Sequence, residues 1–543
     1  MPRDLREFEE RIRNEAESVA PDIVALAYTE PTDGAPLTVL AVAEGLPGRV
    51  RRLLRTFQGT RVELLIVDRR LFESDVKASA LFEVAAGRLL LPLTTLKGDG
   101  YLARWGRRYK QRKIRESLAG LALDHPELSR ELLIDPRYFV HDNLLRLSHL
   151  LPQASQLLHA LDEEGQRLLK GYTEALRDLE RAGIIEIRDG LVAVDSGFVD
   201  SILKRGASVS GQLTRAQRQL SSLLKIGPSG VVDLFRPPPG RSVVEGLLPA
   251  AFRASDLPRP DRFLHFSTAT GLAPLSESTS IEELLAMLDP QGRAGDARLR
   301  RFGGVLNEVY LLTYTADGAT RRAIVKRYPN WVSLKWAPLA LWTLGTQNFA
   351  VLGRSRMERE CATTSLLRRS GVPVPQILHA SFEDRLLLRE YVEGVNLVEI
   401  VKAALRGGGP GDREGEVLRR VGETVAAVHG AGATLGDCKP ENFIVTAAGV
   451  PVIVDLEQGA RGGNETWDLA EFLYFSGHYA RPLDPLTGVA EMTRCFMEGY
   501  VEGGGSRRRL AEAAGIRYAK VFTPLTSPQV IYTIAKTCRG RRG

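Results

Sequence analysis

The stretch Thr434 to Gln458, TLGDCKPENFIVTAAGVPVIVDLEQ, constrains the fold more than any other part of this chain. It holds two apolar runs, Phe443 to Val445 and Val450 to Val454, joined across the small-residue turn Ala447, Ala448, Gly449. Short β-branched runs separated by a glycine turn read as a β-hairpin. Closing that hairpin folds Asp455 back beside Asn442 and brings both near Asp437. Two carboxylates and an amide at a strand mouth suit a magnesium-bound nucleotide. Mg2+ takes hard oxygen ligands and keeps its phosphate and water partners, so one or two protein oxygens are enough to place it. Asn442 and Asp455 are the metal candidates, and the separate carboxylate of Asp437 is available to take the proton of an attacking hydroxyl.

The run D-x-K-P-E-N at Asp437 to Asn442 resembles the catalytic loop of protein kinases. The resemblance implies Asp437 as base, Lys439 beside the transferred phosphate, Asn442 as a metal ligand, and Asp455, 18 residues after Asp437, as the second metal-binding aspartate. It implies ATP and Mg2+ as cofactors. The departures are specific. Leu435 and Gly436 precede the base, which resembles the RIO-like and tRNA-threonylcarbamoylation-complex kinases and the aminoglycoside or lipopolysaccharide sugar kinases. Leu456, Glu457 and Gln458 follow the metal aspartate, so D-F-G is absent, and no A-P-E segment follows. Asp468 stands where the superfamily has a buried aspartate that holds the loop backbone, although a carboxylate near a helix start also suits the helix dipole.

Upstream, Gly303, Gly304 and Val309 lie in a strand-turn-strand pattern suited to cradling phosphates with backbone N–H groups. Lys326 emerges from the apolar run Ala323 to Val325, and a lysine on a buried strand needs a charge partner. Glu360, 11 residues before Gly371 in the helix RMERECATTSLLRRSG, is the candidate partner, as the RIO-like pattern implies, and Glu358 on another face is second choice. Glu390, Tyr391 and Val392 end a strand where an interlobe hinge would offer backbone groups to adenine; Glu390 and Val392 are counted among the nucleotide-binding residues. An insertion between Lys326 and Glu360 carries Trp331, Trp336 and Trp342, which read first as packing and second as a ligand contact.

A chain of 543 residues exceeds one core and implies several domains. No stretch reaches the roughly 18 apolar residues of a membrane span. The start reads as an amphipathic helix rather than a signal peptide, so a cytoplasmic protein is expected. Cys361, Cys438, Cys495 and Cys538 form no C-x-x-C pair, which argues against a zinc site or a disulfide framework. Net charge is +7, and the basic clusters Arg104 to Arg115, Arg205 to Lys225 and Arg539 to Arg542 read first as solvated surface and second as nucleic-acid contacts.

In residues 1–110, strands at Ile23 to Tyr28, Leu37 to Val42 and Arg61 to Val67, with a helix expected at Arg49 to Thr56, form a small α/β domain. Its layout resembles a nucleotidyltransferase of the DNA-polymerase-β type. The Gly-Ser turn and paired aspartates are missing and only Glu63 stands where a third carboxylate would, so it reads as a non-catalytic binding or scaffold module. A helical segment is expected from Tyr109 to Leu157, and residues 111–226 read as a helical and winged-helix region, with Gly183 closing a helix and Asp189-Gly190 turning a hairpin as in the second half of a winged helix. Residues 227–295 form a proline-rich connector and a helix opened by a Ser280 and Glu283 capping box; residues 296–543 form the kinase-like domain with its basic tail.

The fold class expected is therefore multidomain α+β, with a bilobal protein-kinase-like fold at the carboxy end. The resemblance implies transfer of the ATP γ-phosphoryl group to a hydroxyl, with a serine or threonine of a protein substrate preferred. A small-molecule or lipid-sugar kinase, and a nucleotide-binding scaffold or pseudokinase regulating partners of the amino-terminal half, are the alternatives. Nucleic acid is a second class of partner through the winged-helix region and basic tail.

Overall fold

The computed structural model describes residues 5–29, 37–46, 49–57, 59–148, 150–206, 259–288, 297–303, 308–316, 319–330 and 350–540. Gly304, the three tryptophans of the insertion, most of the proline-rich connector and the last three residues lie outside the described residues. The chain divides into two compact units, residues 1–264 and 265–543.

The first unit opens with α1 (Leu5–Val19) and the strands β1 (Ile23–Thr29), β2 (Leu37–Ala43), β3 (Val50–Phe57) and β4 (Thr60–Asp68). With β5 (Leu93–Lys97) these form a sheet of order β3-β4-β2-β1-β5. Only β2 and β4 run parallel, and every residue of β2 is buried. Phe8, Ile12 and Ala16 of α1 pack onto this sheet. The segment expected as a helix, Arg49 to Thr56, is instead the edge strand β3, paired antiparallel with β4 from Val50–Val67 to Phe57–Thr60. Its Arg-Arg-Leu-Leu-Arg run favours a helix locally, but the ladder satisfies its backbone and packs Leu53 and Phe57 against the core. Glu63 of β4 is buried between Arg88 at 2.5 Å and Arg52 at 3.0 Å, which gives that carboxylate a structural occupation.

The unit continues through α2 (Arg69–Ala78), α3 (Asp99–Asp124), β6 (Leu132–Ile134), α4 (Arg137–Leu147), α5 (Pro152–His159), α6 (Leu161–Arg181), β7 (Ile185–Arg188), β8 (Leu191–Val194) and α7 (Ser196–Gly206). The short strand β6 interrupts the stretch expected to be helical from Tyr109 to Leu157 and pairs with β8. At the end of α6, Ile184 N–H donates to Leu179 and Gly183 N–H to Glu180, with Gly183 at φ +66, so the last carbonyls of α6 are satisfied by a Schellman turn. The β7–β8 hairpin turns at Asp189 and Gly190, both at positive φ.

The second unit begins within β9 (Leu264–Thr268), which pairs with β10 (Gly271–Pro274), followed by α8 (Ile281–Leu288). The capping box forms as expected: Ser280 N–H donates to Glu283 at 2.7 Å and Glu283 N–H donates to Ser280 Oγ at 3.1 Å. Strands β11 (Arg298–Gly303), β12 (Glu308–Ala316), β13 (Ala319–Arg327), β14 (Ile377–Ser381) and β15 (Leu386–Glu390) build an antiparallel sheet of order β11-β12-β13-β15-β14, with α9 (Gly353–Arg369) between β13 and β14 in sequence.

The remainder is mostly helical: β16 (Val395–Asn396), α10 (Leu397–Arg406), α11 (Asp412–Gly430), β17 (Ala433–Thr434), β18 (Phe443–Val445), β19 (Pro451–Ile453), β20 (Ala460–Arg461), α12 (Glu465–His478), α13 (Leu486–Glu502), α14 (Arg507–Ala513), α15 (Ile516–Phe522) and α16 (Pro528–Arg539). Its core joins Val421 and Val425 of α11 to Trp467 and Phe472 of α12 and to Met492 and Phe496 of α13. Helices α11 and α13 cross at Gly422 and Gly499. A Cβ on Gly422 would sit 2.2 Å from the Phe496 carbonyl, and one on Gly499 would sit 1.9 Å from the Arg419 carbonyl. All four cysteines are free thiols. Among the described residues no helix is long and apolar enough to cross a membrane.

Candidate active site

Lys326 ends the buried part of β13 and is 1% exposed. Its register puts it directly beside Val309 of β12, which in turn pairs with Gly303 of β11, so these three residues share one line across the sheet. The ammonium meets three carboxylates brought from elsewhere in the chain: Glu360 of α9 at 2.7 Å, Asp455 just after β19 at 2.8 Å, and Glu457 at 3.1 Å. Glu358 lies apart from this group and pairs with Arg354 at 3.1 Å.

Sequence reasoning missed several members of this cluster. Arg389 of β15 donates to Glu360 at 2.8 Å and to the Val454 carbonyl. The buried Arg356 of α9 lies 3.3 Å from Glu457, and Tyr328 donates its hydroxyl to Glu360 at 2.5 Å. Glu457 stands two residues after Asp455, where D-F-G would put a glycine, and its size brings a third carboxylate to the lysine. Gln458 then clamps Ala350, accepting from its N–H at 2.8 Å and donating to its carbonyl at 3.2 Å.

Burial alone depresses a lysine pKa, but Asp455, Glu360 and Glu457 outweigh it and hold the Lys326 ammonium above the ordinary lysine range. Burial likewise works to raise Asp455, yet Lys326 and Arg389 hold its carboxyl below the usual carboxylate range. Glu457 goes the other way: burial raises it, and the like charges of Asp455 and Glu360 keep it raised despite Lys326 and Arg356. Carboxylate oxygens of Glu360, Asp455 and Glu457 lie within 4.8 Å of one another, an all-oxygen donor set of the kind Mg2+ takes.

A second cluster is built on the loop between β17 and β18. Asp468 of α12 is fully buried and accepts from the N–H groups of Leu435 and Gly436, both at 2.7 Å, and lies 3.1 Å from His429 Nε2. Gly436 has φ +70, a backbone conformation that favours glycine. Glu471, one helical turn after Asp468, accepts from Cys438 N–H at 2.8 Å and from Trp467 Nε1 at 3.0 Å. Burial, with the nearby Asp437, raises the Glu471 carboxyl well above its ordinary range. The Asp468–Glu471 spacing of three on a helix was the available signal for this second anchor.

The loop so pinned presents Asp437. Its carboxylate meets Lys439 Nζ at 2.5 Å, and Asn442 Nδ2 donates to the Asp437 carbonyl at 2.8 Å and carboxylate at 3.2 Å. This leaves the Asn442 amide oxygen as its ligating atom. The expected hairpin is present as β18 and β19, and Val454 N–H donates to the Asn442 carbonyl at 2.8 Å, which ties the Asp437 loop to the strand that delivers Asp455. Glu390 and Val392 lie at and beyond the end of β15. Glu390 pairs with Ala323 in the ladder and accepts from Gln376 N–H at 3.2 Å, so its side chain belongs to neither cluster.

Part of this unit matches a known protein family. Residues 329–475 match the lipopolysaccharide kinase (Kdo/WaaP) family, a span that includes Glu360, Asp437, Asp455 and Asp468 but not Lys326. The chain is 30% identical over 93 residues to the KEOPS complex subunit Bud32 of Pyrococcus abyssi, covering 17% of this chain and 40% of that protein. It is 35% identical over 105 residues to the serine/threonine-protein kinase PknE of Mycobacterium tuberculosis, covering 19% of this chain and 18% of the relative. A solved structure of an Rv3197–erythromycin complex from Mycobacterium tuberculosis matches at 17% identity and TM-score 0.22, over 33% of this chain and 51% of that one. The chain thus spans well under two thirds of the curated relatives it matches. The family match and the two curated relatives support a protein-kinase-like region at the carboxy end, of the phosphotransferase class.

Proposed function

We propose that residues 265–543 bind ATP with Mg2+ and transfer the γ-phosphoryl group to a hydroxyl. The observation that carries this reading is the meeting of Lys326 with Glu360 and Asp455 at 2.7 and 2.8 Å, three residues separated by up to 129 positions in the chain. In this reading Lys326 grips nucleotide phosphates while Glu360 holds it in place. Asp455, with Asn442 and the adjacent Glu457, holds Mg2+, which when bound offsets phosphate charge. Asp437 accepts the acceptor's proton, with Lys439 beside the transferred group. Gly303 and Val309 lie over the phosphates, and the backbone at Glu390 and Val392 faces adenine.

The acceptor we favour is a serine or threonine hydroxyl of a protein, with the amino-terminal unit as a non-catalytic scaffold whose α6 and β7–β8 hairpin serve as a winged-helix-like contact for protein or nucleic acid. A sugar hydroxyl is the second reading, favoured by the likeness of residues 329–475 to lipopolysaccharide kinases. Incubation with labelled ATP and Mg2+ tests both. Stable label on the protein's own serine or threonine, lost in Asp437→Ala, is the expected result, with transfer falling by about 100-fold or more. Label appearing only on added sugar acceptors selects the second reading. Nucleotide binding without any Asp437-dependent transfer overturns the catalytic proposal and leaves a nucleotide-binding scaffold.

A further inference from the structure

Within the amino-terminal unit, α3, α6 and the segment Leu89 to Leu93 line an open cavity of about 720 Å3. Its lining is cationic: Arg104, Arg107, Arg108, Lys110, Arg167 and Lys170 face Asp99, Glu174 and Asp178. Two of those three carboxylates are occupied by one arginine, because Arg107 pairs with Glu174 at 2.7 Å and with Asp178, which also accepts from Gln111. Arg104, Arg108, Lys110 and Lys170 outnumber the remaining acid, Asp99.

Lys110 is the centre of this imbalance. Among the described residues no carboxylate pairs with its ammonium, whose recorded neighbours are the Tyr172 ring, at 5.5 Å from the centroid, and the bare backbone of α6 at Gly171. A Cβ on Gly171 would lie 2.5 Å from Lys110 Nζ, so the absence of a side chain there makes the recess the ammonium occupies. Arg104 and Arg108 are set over the Trp105 ring at 5.8 and 5.1 Å from its centroid, an arrangement that reduces the ordering they would require on binding. Lys110 is half-buried, and a partly desolvated cation without a counter-charge gains from an anion entering beside it.

From this geometry we infer that the cavity is a binding site for a small phosphorylated metabolite, its phosphate group seated between Lys110 and the arginines of α3. The volume falls in the range of small-ligand pockets, roughly 300 to 1,000 Å3, and forked guanidinium donors match phosphate oxygens. The limited volume and the apolar wall of Leu89, Leu90 and Leu91 suit a small ligand with an apolar portion better than a nucleic-acid backbone. The site is independent of the phosphotransferase reading.

The test uses the full chain, with pyrophosphate as probe and sulfate at equal ionic strength as control. Brief acetylation near neutral pH with peptide-resolved mass spectrometry reads Lys110 separately from Lys326 and from the reference Lys536. Pyrophosphate, and not sulfate, is expected to slow Lys110 labelling about tenfold while leaving Lys536 unchanged. By calorimetry in the absence of Mg2+, Lys110→Met and Gly171→Ala should each weaken the corresponding binding step about tenfold. Both variants should fold, since one removes a partly desolvated charge and the other adds a good helix former. Unchanged Lys110 labelling, undiminished binding in both variants, or protection by an RNA or DNA oligonucleotide but not by pyrophosphate would overturn the assignment.

Discussion

Two lysines of this chain show how surroundings decide what one residue type does. Lys326 is buried among three carboxylates and its pKa goes up; Lys110 is half-buried beside an aromatic ring, pairs with no carboxylate among the described residues, and desolvation pulls its pKa down to about 8. The second case has a consequence for stability. The unfolded Lys110, at an ordinary 10.5, holds its proton at pH values where the folded one has released it, so between about 8 and 10.5 the unfolded state binds more protons and the wild type gains stability as pH rises. Lys110→Met carries no such cost. Its stability advantage over wild type should be greatest below about pH 8 and shrink toward pH 10.5, measured by paired urea titrations. An advantage that is flat with pH, or that grows, would show that the ammonium is not desolvated. The same scale explains which site residues were legible. Asp437, Lys439 and Asn442 lie within six consecutive residues and their spacing is a pattern. Glu457, Arg356 and Arg389 belong to no such pattern, and only their partners give them meaning.

At the level of elements, local chemistry was a sound guide where the determining atoms are neighbours in sequence. The capping box at Ser280, the glycine closing α6 and the β18–β19 hairpin are all satisfied by bonds within a few residues. It failed at β3, where an arginine- and leucine-rich run with helical propensity is held extended by pairing with β4. It was also silent about the α11–α13 crossing. Glycines in the interior of helices cost stability on propensity alone, and Gly422 and Gly499 are explained only by the carbonyls of the opposing helix. Gly499→Ala should therefore destabilise by about 1 to 3 kcal/mol, because the new methyl meets backbone that cannot rotate away. Calorimetry decides: an unchanged or raised Tm would mean that the crossing is looser than these distances and that propensity prevails.

For the whole molecule, the division into two units separates two kinds of question. The likeness to kinases lies in the second unit, whereas the amino-terminal unit carries its own sheet, its own ion-paired Glu63 and its own basic cavity. Ligand linkage can address the units separately. ATP with Mg2+ at about 100 times its Kd should stabilise the unit that binds it by about 2.7 kcal/mol. In peptide-resolved hydrogen exchange, slowing should appear in peptides spanning Lys326, Glu360 and Asp437 to Asp455, be reversed by EDTA, and leave β1 to β4 unchanged. Protection that ignores EDTA would remove the metal from the proposed site. Protection confined to the first unit would relocate nucleotide binding altogether.

What the sequence by itself determined is the set of features whose energetics close over short distances along the chain: turns, caps, the hairpin, and the spacing from Asp437 to Asp455. What only the tertiary structure decided is which charges share a desolvated space. Glu457 becomes a partner of Lys326, and Lys110 an ammonium without a counter-charge among the described residues, because folding brings together, or fails to bring together, groups far apart in sequence. The cost of a buried charge depends on its neighbours in space, and residue order does not state that quantity.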